Sequence, residues 1–158
     1  MWSWATRARA RERGGAAVEF ALIAPLLLLL VFGIVDFGWM LMKANLVNNT
    51  TRDAVRVASL AGTYDEIENS VEVSLSSAGI DPAAVDVEIT CTNPSGSNCA
   101  NSPGSYDANA TSGSTVTVTV TYTHGWITPV GAMCGLVGGE SCVGDTILLE
   151  RTSQMVRE

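Results

Sequence analysis

The apolar and polar positions divide the chain into stretches of different period. From Phe20 to Val35 runs FALIAPLLLLLVFGIV, sixteen residues without a charge, and the apolar segment extends from Ala16 to Met42 around Glu19 and Asp36. As a helix that segment covers roughly 40 Å, against a hydrocarbon core of about 30 Å. Beyond Lys43, the residues Leu46, Thr50, Ala54, Val57 and Ala61 recur at helical spacing, with Asn48, Asn49, Arg52, Asp53 and Arg56 on the other faces. The pattern predicts one long helix over residues 15–61, apolar all round in its first half and amphipathic in its second, with Gly62 as the stop. Pro25 removes one helix hydrogen bond, which predicts a kink or an unwound turn.

After Gly62 the pattern is that of a small folded domain. Thr63-x-x-Glu66 is a capping-box pattern, and Ile67, Val71, Leu75 and Ala78 form an apolar stripe up to Gly79, so a short helix is expected over 64–78. Past Asp81-Pro82 the period changes to two. Val85, Val87, Ile89 and Cys91 alternate with polar residues, as do Val116, Val118, Val120 and Tyr122 further on. Residues 92–114 read as a loop rich in Ser, Asn, Gly and Pro, and 125–144 as a Gly-rich connection before a last strand from about Thr146 to Val156. The expectation is an α+β fold: a helix and a small antiparallel sheet packed on the stripe of the long helix. It divides into a basic leader (1–14), a transmembrane and amphipathic helix (15–61) and a folded domain (62–158).

Composition sharpens this picture. The chain of 158 residues is 47% hydrophobic and 16% charged, with a net charge of −7, which speaks against a nucleic-acid-binding footprint. The charge is uneven: residues 1–43 carry five basic and three acidic groups, and 44–158 carry four and thirteen. The region after residue 43 is too small and polar to wrap the apolar helix, which favours a membrane span over a buried core helix. Arg7, Arg9, Arg11 and Arg13 before the span put the N-terminus in the cytoplasm and the C-terminal domain outside, in a single-pass arrangement across the cytoplasmic membrane. No small-x-small cleavage site closes the apolar run, so the segment is read as an anchor and not as a secretory signal peptide.

The four cysteines agree with export. Cys91-x7-Cys99 and Cys134-x7-Cys142 lie in the domain placed outside. Zinc sites favour tighter spacing, and His124 has no evident partner ligands. Two local disulfides are the preferred reading, with cross-pairing as the alternative among three connectivities. Each closed loop would stabilise the fold by about 2–3 kcal/mol.

The most informative stretch is Gly14-Gly15-Ala16-Ala17-Val18-Glu19-Phe20, a glycine step and a glutamate at the mouth of a membrane helix. A carboxylate inside a bilayer helix is expensive and normally has a partner or a function. The run RGGAAVEFALIAPLLLLLVFGIVDFG resembles the N-terminal signature of TadE-like proteins, pseudopilins of tight-adherence (Tad/Flp) pilus systems. The resemblance covers roughly residues 13–60. It implies cleavage by a prepilin peptidase after Gly14, with Gly15 as the first mature residue, and an assembly role for Glu19 and Phe20. It also implies other pilins or pseudopilins, a pilus assembly platform and the lipid bilayer as partners. Ala17, Ala21 and Ala24 offer a small-residue stripe for close helix packing.

Asp36, Trp39 and Lys43 fall near the outer end of the span and are read as interface anchors, since Trp and Lys are the usual residues of that zone. His124 and Trp126 are placed in a turn after the Thr/Val strand. Asp65, Glu66, Glu68 and Glu72 are read as the wet face of the second helix, without the loop spacing of a calcium site. No catalytic motif is present, and neither a cofactor nor a metal is expected. These readings converge on a non-enzymatic minor pilin or pseudopilin that contributes to pilus assembly or initiation. The alternatives are a pilus-tip or surface adhesin on a membrane anchor and, less favoured, a membrane-anchored enzyme.

Overall fold

The computed structural model describes residues 5–99, 102–129, 132 and 146–158, with side chains from residue 15 onward. Its elements are α1 (Ala5–Ser59), α2 (Tyr64–Ser77), β1 (Val85–Thr92), α3 (Pro103–Asn109), β2 (Thr115–Gly125) and β3 (Thr146–Val156), with a 3₁₀ turn over Pro82–Ala84. The architecture is α+β: a long apolar N-terminal helix, two further helices and a three-stranded antiparallel sheet in the order β1-β2-β3. The chain forms two compact units. One comprises Met1–Trp39 with Trp126–Asp145, the other Met40–Gly125 with Thr146–Glu158.

In the first unit α1 is helical without interruption through Pro25. The unwound turn expected there does not occur. Proline removes a single N–H donor, and the turns on either side keep their own hydrogen bonds.

The second unit holds the core. Val47, Ala54, Val55 and Ala58 of α1 and Ile67, Val71 and Leu75 of α2 pack with Ile89, Cys91, Val116, Val118 and Val120 from one face of the sheet. The buried stripe of α1 is wider than the expected one: Thr50 and Ala54 are buried as expected, Val47, Thr51, Val55 and Ala58 are buried beside them, and of the other expected members Leu46 and Val57 are half-buried and Ala61 is exposed. Thr51 is able to lie inside because its hydroxyl donates to the Val47 carbonyl at 2.7 Å, so it enters the core with no unmet polar group.

Helix ends are closed by local chemistry. The Thr63 hydroxyl accepts from the Glu66 N–H while Glu66 accepts from the Thr63 N–H, the expected capping box. At the other end Gly79 takes φ +73°, and the Ile80 N–H returns to the Leu75 carbonyl at 3.0 Å. α1 ends differently. Ala61 adopts the left-handed conformation (φ 64°) and the Gly62 N–H reaches the Val57 carbonyl at 3.1 Å. Glycine is needed at 62 for space: a Cβ there would stand 2.7 Å from both the Val57 carbonyl oxygen and its Cγ1.

In the sheet, Cys91 pairs with Val116 in the β1–β2 register and Val118 pairs with Ser153 in the β2–β3 register. β2 extends to Gly125, so His124 is a buried strand residue opposite Ile147 and not part of a turn. The long β1–β2 connection is ordered by two devices. A disulfide joins Cys91 to Cys99, and Asn93 Oδ1 accepts from the Ser97 N–H and the Ser95 hydroxyl. The short helix α3 then places Tyr106 wholly inside the core, its ring 6.0 Å from that of Tyr64. The stretch expected as a loop over 92–114 thus contains a helix. Burial of one aromatic residue, not helix propensity, holds α3 in place.

Candidate functional site

The features that set this chain apart from an ordinary small domain lie along α1. Among the described residues, α1 contains the one helix long and apolar enough to cross a membrane. None of its most apolar window is buried. Phe20, Leu22, Ile23, Leu26 and Ile34 are each at least 60% exposed, so this helix is no core helix within the chain. An apolar surface of this size has to meet lipid or protein.

Gly14 and Gly15 fall within α1, with open space around Gly15. Glu19 lies four residues beyond Gly15, about one helical turn, and is exposed, as is Phe20. Ala17 and Ala21 are exposed and Ala24 is half-buried. Gly15, Ala17, Glu19 and Ala21 are therefore presented outward by the same helix.

Asp36 is 0% exposed. One carboxylate oxygen accepts from the backbone N–H groups of Ile127 at 3.1 Å and Thr128 at 3.2 Å, and the other accepts from the Thr128 hydroxyl. Lys43 is 4% exposed and its ammonium donates to the carbonyls of Ala78 (3.4 Å) and Gly79 (3.5 Å). It supplies positive charge at the C-terminal end of α2, whose own last turn has no basic residue. Trp39 is 44% exposed. Asp36 and Trp39 belong to the first unit and Lys43 to the second, and each of the two charged groups has a specific internal partner set. Sequence reading had no means of finding these partners. Its one signal was that a carboxylate in an apolar helix needs hydrogen-bond donors.

His124 lies beside Tyr122, ring centroids 6.0 Å apart. Asp65, Glu66 and Glu72 are exposed on α2 and Glu68 is half-buried. Among the described residues no group of three or more His, Cys, Asp or Glu side chains is arranged to hold a metal ion. Cys134 and Cys142 lie outside the described residues.

The match to known proteins falls on this helix. Residues 14–56 match the TadE-like protein family. The TadE-like segment begins at the glycine step, includes Glu19, Phe20, Asp36, Trp39 and Lys43, and ends within the part of α1 that enters the core. It is a pilus-associated and structural family, not a catalytic one. Neither a curated protein nor a solved structure matches the chain.

Proposed function

We propose that the chain is a minor pilin or pseudopilin of a Tad/Flp-type pilus, held in the cytoplasmic membrane by α1 with its N-terminus inside. A prepilin peptidase cuts after Gly14, and the exported unit serves in pilus assembly or initiation with other pilins and the assembly platform. The observation that carries this reading is the charge-free stretch of α1, none of it buried, with Glu19 at its mouth inside the segment that matches the TadE-like family.

The physical logic is as follows. Cleavage leaves a new amino terminus on Gly15, one turn before Glu19. Among staggered helices, that amine neutralises the Glu19 carboxylate of a neighbouring subunit in a low-dielectric setting. Glu19 then fixes the register between subunits, as a single polar residue does in a coiled coil. Removing one partner of such a buried pair costs about 3–5 kcal/mol, and half of that already weakens a subunit contact more than about tenfold. Glu19→Ala is therefore expected to insert and to be processed normally yet fail to co-purify with its pilin partners, and Glu19→Gln isolates the charge. Wild-type piliation and partner recovery in both variants would refute the register role.

A further inference from the structure

The carboxylate of Asp36 holds a segment 91 residues away in sequence, and what that segment carries is apolar. In Trp126-Ile127-Thr128-Pro129 the two backbone N–H groups and the Thr128 hydroxyl turn inward to Asp36. Ile127 is left 57% exposed, Pro129 is exposed and Trp126 is half-buried. Beside the clamp on α1, Phe37 is 56% and Trp39 44% exposed. A single buried acid thus organises aromatic and aliphatic surface around Ile127 and Thr128, whose backbone N–H groups it satisfies. That is the condition for non-helical backbone to sit at the edge of a bilayer, where unmet N–H groups are costly.

The position of the clamp along α1 fixes what this patch meets. The charge-free run from Phe20 to Val35 rises about 24 Å, close to the thickness of a hydrocarbon core, and Asp36 is the first charge after it. The clamped segment therefore lies at the depth where the helix leaves the acyl chains, among the aromatic residues characteristic of that zone. We propose that Trp126–Pro129 is a second membrane anchor, clamped to α1 by Asp36, which lays Ile127 into the upper acyl region of the leaflet at the C-terminal end of the span. The partner is a lipid surface, and the inference rests on α1 being a membrane span. Its effect is to hold the chain to the bilayer at two points of the sequence.

The test uses the full chain in phosphatidylcholine vesicles at low protein-to-lipid ratio. An environment-sensitive fluorescent amino acid is placed at position 127, at 28 in the span and at 148, an exposed position on β3. Quenching is compared for lipids doxyl-labelled at the headgroup, near the top of the acyl chain and near its methyl end. The expected result is deep quenching at 28, none above background at 148, and blue-shifted emission at 127 quenched most by the label near the top of the chain. Asp36→Ala and the milder Thr128→Val are expected to shift the 127 emission toward the red and to reduce its quenching, with the profile at 28 unchanged. Quenching at 28 together with a probe at 127 that behaves like 148 overturns the anchor and leaves the span standing. A blue shift at 127 without quenching by any lipid means protein covers it, and also overturns the anchor. Absence of quenching at 28 overturns the span itself.

Discussion

Arg157 donates from Nη1 to the Tyr106 hydroxyl at 3.1 Å while its guanidinium carbon lies 5.5 Å from the centre of the same ring. The same guanidinium reaches the turn after α1, donating to the carbonyls of Ala61 at 3.1 Å and Gly62 at 3.3 Å. The Glu158 N–H adds a bond to the Ser59 carbonyl at 2.9 Å. The residues after β3 thus bind the last carbonyl of α1 and the turn that follows it while holding the aromatic anchor of α3.

Arg157→Ala is expected to destabilise the second unit by about 2 kcal/mol, because the Ala61 and Gly62 carbonyls and the Tyr106 hydroxyl lose a charged donor together. Arg157→Lys is expected to recover only part of that, since an ammonium cannot reproduce the planar fork. Urea unfolding of the detergent-solubilised chain, followed by tyrosine near-UV circular dichroism, measures both. Equal midpoints for Arg157→Ala and wild type would remove this clasp from the account.

Gly62→Ala is expected to cost about 2 kcal/mol or more. The added methyl meets a backbone oxygen at 2.7 Å, which has no rotamer by which to yield. Gly104→Ala, in open space on α3, is the matched control and is expected to be neutral or slightly stabilising by the same urea midpoints.

Joint replacement of Cys91 and Cys99 by serine is expected to cost about 2.5 kcal/mol through the unfolded chain, from a loop of nine residues. Hydrogen exchange is expected to rise first in residues 92–99, which the disulfide and Asn93 hold together. Uniform loosening across the sheet instead would place the disulfide at the centre of the core's stability.

Stability is also expected to fall in alkali. Burial raises the pKa of Tyr106 despite the opposing guanidinium of Arg157, and burial with nearby Glu68, Asp86, Asp65 and Glu88 raises that of Tyr64. A phenol whose pKa is higher in the folded chain binds its proton longer there than in the unfolded chain. The stability it contributes is complete below about pH 10 and is lost as pH rises through the folded values. Urea midpoints at about pH 9 and about pH 11 test this, and Tyr106→Phe is expected to flatten the fall.

The parts of the fold legible in the sequence are those written locally. The apolar run of α1 and its stop before Gly62, the Thr63–Glu66 capping box and the alternation of β1 and β2 all follow from neighbouring residues, whereas α1 starts at Ala5, inside the stretch expected to be a separate leader before a helix from residue 15. What was not legible depends on distant ones. α3 exists because Tyr106 finds Tyr64 and Arg157, neither of which marks the sequence Pro103-Gly-Ser-Tyr as helical. The buried stripe of α1 extends to Thr51, Val55 and Ala58 because both α2 and the sheet pack on it, and Thr51 enters with its hydroxyl bonded to the Val47 carbonyl. β2 runs on through His124 because β3 pairs with it to the end. At the candidate site, Glu19 and the glycine step are visible from spacing alone, but the partners of Asp36 and Lys43 lie 91 and 35 residues away, beyond any local pattern.

The proposed role as a processed pilin-class subunit is decided by the mature N-terminus of the protein recovered from its native host. The expected chain begins at Gly15, and a Gly14→Ala variant is expected to retain its leader with the four arginines at 7, 9, 11 and 13. A chain that keeps Met1 in cells with an active prepilin peptidase would contradict it.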